Sequence, residues 1–292
     1  MEKDNVNKIP VVDIGVACAP HQSPDWWAPV MALILETERS GKVKIGRIRT
    51  VSSALPDANK NNTVGQIKRR WSLTDANREV ISNGFVNDDA DYIFWIDDDT
   101  VPPAGTITHL IRLGRPFVAG LYFLPRKPYN PIAYKRHEDD GLYYPVYNYT
   151  KGALMEVDSV GMGCTLIHRS VYEKIRDEHQ VYVKHNGAIV PIHKRNILNP
   201  VVSKHLKRKE PYIRAGIYHE QMVPQPEDDG RNFPYYLLEH GRTEDHYFCE
   251  LAANVGIKPM IDTSVTCQHW KMKETTEDEY MDEIEKAEGV LQ

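Results

Sequence analysis

The stretch Tyr92-Ile93-Phe94-Trp95-Ile96-Asp97-Asp98-Asp99-Thr100-Val101-Pro102-Pro103 constrains the fold more than any other. An apolar, aromatic and β-branched run of this length reads as a buried strand, and it ends abruptly in three acids. Pro102 and Pro103 cannot extend a sheet ladder, so the acids are expected where the strand leaves the core. Side chains alternate along an extended segment, which predicts that Asp97 and Asp99 point one way and Asp98 the other. Carboxylates crowded at a strand end repel one another, and a hard cation among them removes the conflict. A solvated acidic turn is the plain alternative.

The rest of the first half supplies a parallel α/β pattern. Val11 to Cys18 reads as a first buried strand. Trp26 to Arg39 has helical apolar spacing and is closed by Gly41, and Lys42 to Val51 reads as a second strand. Ser72 or Thr74 can cap a helix running to about Ser82, stopped by Asn83-Gly84. After the aspartate strand come a helix from about Pro103 to Leu113 and a strand from Pro116 to Gly120. Alternating strands and helices predict a parallel sheet with helices on both faces, and ligands then gather at the carboxyl ends of the strands. Pro20 and the aspartates fall there. The sequence contains neither GxGxxG after its first strand nor GxxxxGK[ST] anywhere, which argues against a dinucleotide enzyme and a P-loop ATPase. A bound nucleotide would have to be held by a metal and side chains.

Composition narrows the class further. At 292 residues the chain is long enough for one large α/β domain or two small ones, and a net charge of -5 argues against wholesale nucleic-acid binding. Cys18, Cys164, Cys249 and Cys267 are scattered with no CxxC pair, as expected of small core residues in a reducing compartment. With no membrane-length apolar run and a polar start, the sequence reads as cytosolic.

The second half adds four features. Tyr129, Tyr134, Tyr143, Tyr144, Tyr147 and Tyr149 either stack on a sugar or base or simply pack a β-meander, the commoner use of such residues. Val157 to Ile167 reads as a buried strand interrupted by Gly161-Met162-Gly163, a bulge or a close backbone approach to a ligand. The stretch His168 to Arg214 is strongly basic and reads as an inserted loop or lid, either a solvated surface or a site for an anionic acceptor, nucleic acid included through Lys194 to Arg214. Thr243-Glu244-Asp245 opens a helix, with Thr243 as cap, acids at its positive end and Gly256 as its stop. A strand from Ile257 to Ile261 follows, and Ser264 to Cys267 leads on to His269.

In order, then, the sequence has a strand ending in Asp-x-Asp, a helix starting Thr-Glu-Asp, and a His after the final strand. Together they resemble the GT-A nucleotide-sugar glycosyltransferases, in the style of family 2 and related bacterial or viral enzymes, over roughly Val11 to Lys271. The resemblance implies an α/β fold of GT-A type: one Rossmann-like, mostly parallel sheet flanked by helices, with a smaller acceptor-side β/loop region. It implies one domain over residues 11–271 with a basic acceptor or lid insertion at about 176–235. A polar tail over 1–10 and an acidic helical tail over 272–292 flank it. Ile96-Asp97-Asp98-Asp99 resembles the DxD motif and Gly241-Arg242-Thr243-Glu244-Asp245 the (T/G)ED motif. By resemblance Asp99 is the direct metal ligand, with His269, for Mn²⁺ or Mg²⁺. Asp97 supports the metal and contacts the donor, and Asp245 is the base, with Glu244 able to substitute. Asp98, Pro20, Asn77, Gly161, Gly163 and Lys271 complete the donor side, and Lys271, Arg126 or Lys127 can offset phosphate charge. Asn77 precedes Arg78, whereas family members often carry Arg-Asn in that order. The donor is expected to be of UDP or GDP type, and the acceptor a glycan, lipid or protein hydroxyl or a hydroxylated DNA base.

Two other classes compete. Asp97-Asp98-Asp99-Thr100-Val101 also fits the DxDx[T/V] nucleophile motif of haloacid-dehalogenase-like phosphatases. There, however, the motif lies on the first strand and is followed by a flexible loop, whereas here two strand-helix units precede it. A GT-A-like domain that only binds carbohydrate is the non-enzymatic reading, and the retained clustered acids argue against it.

Overall fold

The computed structural model describes residues 8–17, 24–50, 73–125, 128–185, 188–193, 222–223, 233–237 and 243–269. In chain order the first half comprises β1 (Val11–Ala17), α1 (Pro24–Arg39), β2 (Lys44–Thr50), α2 (Leu73–Val86), β3 (Tyr92–Asp97), β4 (Thr100–Val101), α3 (Thr106–Arg112) and β5 (Phe117–Leu121). Next come β6 (Ala133–Arg136), β7 (Tyr143–Pro145), β8 (Leu154–Glu156), β9 (Ser159–Val160), β10 (Cys164–His168) and α4 (Arg169–His179). The chain continues through β11 (Gln180–His185), β12 (Ala188–His193), β13 (Met222–Val223), α5 (Glu244–Asn254), β14 (Met260–Thr266) and β15 (Gln268–His269).

The central sheet has seven strands in the order β2-β1-β3-β10-β5-β14-β8. Strands β2, β1, β3, β5 and β14 share one direction, while β10 and β8 run against them. The expected mostly parallel α/β layout is therefore present, with an antiparallel strand inserted at its centre. Along β3 the period of two sorts the core. Ile93 and Trp95 pack with residues of α2, α4 and α5, whereas Phe94 and Ile96 pack with residues of α1 and α3 on the opposite face. Asp97 continues the odd series and so emerges on the side of α2 and α5. The left-handed conformations of Gly41 and Gly256 close α1 and α5 as their sequence positions predict.

Several expectations are corrected. Helix α2 does not stop at Ser82 but runs through Asn83-Gly84 to Val86. Asn83 donates to the carbonyls of Glu79 (2.8 Å) and Phe233 (2.9 Å) and accepts from Phe233 N–H (2.8 Å), so tertiary bonds overrule its turn preference. The proposed strand from Ile257 instead occupies Met260–Thr266. The basic region is not a plain loop throughout, because β11 pairs with both β12 and β13. Between the acids and the prolines, Thr100–Val101 forms a short strand paired with β15. Substituting Asn83→Ala should lower the unfolding free energy by about 3 kcal/mol, since two buried backbone groups of Phe233 lose this partner. Chemical denaturation measures it, and a loss under about 1 kcal/mol would mean that the 233–237 segment is held elsewhere.

Candidate active site

The acidic turn is fixed from below. Trp26 Nε1–H lies 3.0 Å from the carbonyls of both Asp97 and Thr100, tying the chain before and after the acids to α1. Within that turn the two outer aspartates part company. Asp97 Oδ1 accepts from Arg78 Nη2 at 2.7 Å. Asp99 Oδ2 lies 3.0 Å from His269 Nε2. The strand alternation holds as far as Asp97, then the turn through Asp98 and Asp99 breaks it, so the two carboxylates meet different partners. Asp98 lies half-buried within that turn.

His269 is delivered by the β4–β15 pairing, in which it stands opposite Thr100. Its Nδ1–H donates to Phe123 carbonyl at 2.6 Å, which leaves Nε2 for Asp99. A histidine whose second nitrogen is tied to a backbone carbonyl is held as metal ligands usually are. Burial alone would lower its basicity, but the Asp99 carboxylate outweighs this and raises it. Deprotonated, Nε2 and the carboxylate would face one point. Asp99 is the most open of the acids here, its side chain 48% exposed. Among the described residues no third His, Cys, Asp or Glu completes a protein cage. An oxygen and a nitrogen donor with open positions suit a divalent ion that also takes ligand oxygens.

The second half of the site centres on Arg78. From α2 it meets Asp97 at 2.7 Å, Asp245 at 3.4 Å and Glu244 at 3.7 Å, and its side chain is only 2% exposed. The guanidinium also lies over the Trp95 ring, 5.7 Å from its centroid. Thr243 caps α5 as predicted, accepting from His246 N–H, so Glu244 and Asp245 sit in its first turn. One cation faces three acids, and the imbalance shows. Burial, followed by the other carboxylates, pushes Asp97 up to about 6 despite Arg78. Burial likewise holds Asp245 well above the ordinary carboxylate range, against the pull of Arg78 and of the Met162 N–H that bonds it.

Asn77 is buried beside this cluster, and Arg78 is the α2 side chain that reaches the acids. Gly161 and Gly163 flank Met162 in the connection from β9 to β10, against the ring of Tyr122. Tyr143 stacks on His246 at 4.3 Å and Tyr134 meets it edge-on at 4.9 Å, so these two pack, whereas Tyr129, Tyr144 and Tyr147 are exposed. Cys164, Cys249 and Cys267 are buried free thiols. Pro20, Arg126, Lys127, Lys271, the run Lys194 to Arg214 and the tail over 272–292 lie outside the described residues. Among the described residues no helix is long and apolar enough to cross a membrane.

Sequence reasoning named Arg78 only as the neighbour of Asn77 and missed its place among the acids. The signal for Arg78 was its place on the stripe Arg78, Ile81, Ser82, Phe85, where a charge on a buried helix face demands a partner.

No family model and no curated protein matches the sequence. Among solved structures the chain is similar to A197 from STIV at 13% identity, covering 90% of this chain and 86% of that one with a TM-score of 0.39. It is also similar to GalNAc-T7 crystallised with UDP, GalNAc and Mn²⁺, at 10% identity and a TM-score of 0.47, covering 96% of this chain but 48% of that one. The chain thus spans about half the length of the second protein. Likenesses at this level leave the chemistry to be read from the residues themselves.

Proposed function

We propose that this protein is a metal-dependent glycosyltransferase that moves a sugar from a nucleotide-diphosphate donor, UDP-type favoured, to an acceptor hydroxyl. The observation that carries the reading is convergence. The ends of β3 and β15 and the start of α5 are far apart in sequence, yet Asp97 and Asp99 join one to His269 and the other, through Arg78, to Glu244 and Asp245. A nucleoside diphosphate leaves easily only when its growing negative charge is neutralised, and a divalent ion supplies that charge when bound. Asp99 and His269 are the residues to hold Mn²⁺ or Mg²⁺, with open positions for phosphate oxygens. Asp97 supports that side of the site and the donor. Asp245 takes the proton from the acceptor hydroxyl in an inverting reaction, a role a raised carboxylate fills better than an ordinary one. The acceptor belongs to the glycan, lipid or protein hydroxyl class or is a hydroxylated base.

The phosphatase alternative fares worse on one particular. Its nucleophile would be Asp97, whose Oδ1 is engaged at 2.7 Å by a buried arginine, and a carboxylate oxygen tied up in that way is not free to attack. Thermal shift with Mn²⁺ and UDP, GDP, CDP or dTDP tests the proposal. A UDP stabilisation that requires Mn²⁺ and disappears in Asp99→Ala is expected, at several degrees if ligand is near 100 times Kd. Stabilisation by none of these nucleotides, with or without metal, would sink it.

A further inference from the structure

Tyr122 directly follows β5 and lies between the metal-side strand and the Gly161-Met162-Gly163 turn. Its neighbours in the chain hold the metal-side strand: Leu121 carbonyl accepts from Cys267 N–H at 2.8 Å, and Phe123 carbonyl accepts from His269 Nδ1–H at 2.6 Å. The Tyr122 ring then lies edge-on against the His269 imidazole, with centroids 5.6 Å apart and planes at 78°. At its far end the phenol oxygen accepts from Gly163 N–H at 3.0 Å, and the residue is 4% exposed. On the other side of the turn, Ser159 Oγ lies 2.6 Å from Nδ1 of His246, the residue after Asp245.

The two glycines are explained by the same ring. A Cβ on Gly161 would land on the Tyr122 hydroxyl and 2.6 Å from Ile132, and one on Gly163 would lie 2.9 Å from the Tyr122 ring and 2.8 Å from Thr100 Oγ1. Real Cβ atoms do not come that close, and a buried ring wedged between strands cannot step aside. Gly161 is held in addition by Thr165 Oγ1–H, which donates to its carbonyl at 2.8 Å. The Gly161-Met162-Gly163 turn is therefore clasped around a tyrosine, and β9 just before it is tied through Ser159 to the first turn of α5 beside Asp245. Cys164, the next residue, pairs with Ile96, so the clasp sits alongside the DxD strand end.

We infer that Tyr122 is a positioning residue that sets Asp245 relative to the Asp99–His269 pair, acting through the Gly161-Met162-Gly163 turn. The inference rests on the glycosyltransferase reading for its catalytic consequence, but not for its structural one. Tyr122 itself touches no reacting atom in this scheme. It fixes a distance, and misplacement of a reacting group by about 1 Å is enough to cost on the order of a hundredfold in rate.

Tyr122→Phe removes one oxygen and keeps the ring, so the chain should fold. Hydrogen exchange of the Gly163 amide is expected to speed up about fivefold to tenfold, the worth of one buried hydrogen bond, with the amides of Ile93 to Ile96 unchanged. UDP release from whichever of UDP-glucose, UDP-galactose or UDP-N-acetylhexosamine the wild type turns over should fall about tenfold to a hundredfold in kcat. KM and Mn²⁺ affinity should stay within about threefold, because Asp99 and His269 keep their own bonds. A purely structural tyrosine would lower the melting temperature and leave kcat alone, and that result overturns the inference. Unchanged exchange at the Gly163 amide overturns it as well. If the wild type neither binds UDP with Mn²⁺ nor releases it from any donor, the functional reading fails, and the exchange data still decide whether the clasp exists.

Discussion

Replacing Arg78 with Met is expected to cost about 3–5 kcal/mol of folding stability at pH 7, seen as a fall in melting temperature of roughly 10 °C. The guanidinium is 2% exposed and faces carboxylates of Asp97, Glu244 and Asp245 that are themselves only 14–25% exposed. Deleting one partner of a buried ionic cluster strands the others in a poorly hydrated environment, and the cost of that stranding exceeds what the pair contributed in the first place. The contact with Trp95 goes as well, although it is the smaller term at about 1 kcal/mol. Two controls make the cause legible. Arg78→Lys keeps a charge but loses the planar fork that serves several acids at once, and should fall between wild type and Met. Combining Arg78→Met with Asp97→Asn and Asp245→Asn removes the stranded charges and should recover a large part of the loss, a non-additivity expected of groups in contact. If Arg78→Met melts within about 2 °C of wild type, the three acids are hydrated without the arginine, and the site is far more open than its geometry indicates.

How much of this could be read beforehand divides along physical lines. Local features were legible. The aromatic run of β3, the Thr243 cap and the glycines after α1 and α5 are set by propensity and by backbone sterics, which nearby residues determine. The convergence of Asp99 with His269 was expected from order along the chain, but its means was not. Thr100–Val101 is a two-residue strand whose partners lie 169 and 167 positions away, and nothing local distinguishes it from a turn. The prolines after it concealed it, because they rightly forbid a long strand without forbidding a short one. The insertion of antiparallel β10 between β3 and β5 was likewise invisible, since strand order is a property of the whole sheet. Gly161 and Gly163 were noticed as an interruption in a buried strand, which was sound. Their cause lies about forty residues earlier in Tyr122, and a sequence pattern does not connect the two.

Asp245→Asn should abolish transfer while leaving the fold at least as stable as wild type at pH 8. In the inverting scheme its carboxylate removes the acceptor proton, and loss of a positioned general base costs about 10²–10⁴ in kcat. UDP and Mn²⁺ binding should survive, because Asp99 and His269 are untouched. Stability moves the other way for an electrostatic reason. Burial holds the Asp245 carboxyl well above its ordinary range of about 3.9, even with Arg78 and the Met162 amide pulling it down. A group whose folded-state value is raised contributes stability that is fully present below its unfolded value and is lost as pH rises through the folded one. Above the unfolded value, and so at pH 8, the raised carboxyl therefore costs the folded state stability. Asparagine removes that burden, and Arg78 still has Asp97 and Glu244 for company. The advantage of the variant should be visible in urea denaturation at pH 8 and vanish below about pH 3, where the wild-type acid is protonated in both states. An Asn variant less stable than wild type at pH 8 would mean that Asp245 is held there as a working ion pair with Arg78. A variant that retains transfer would move the base to Glu244.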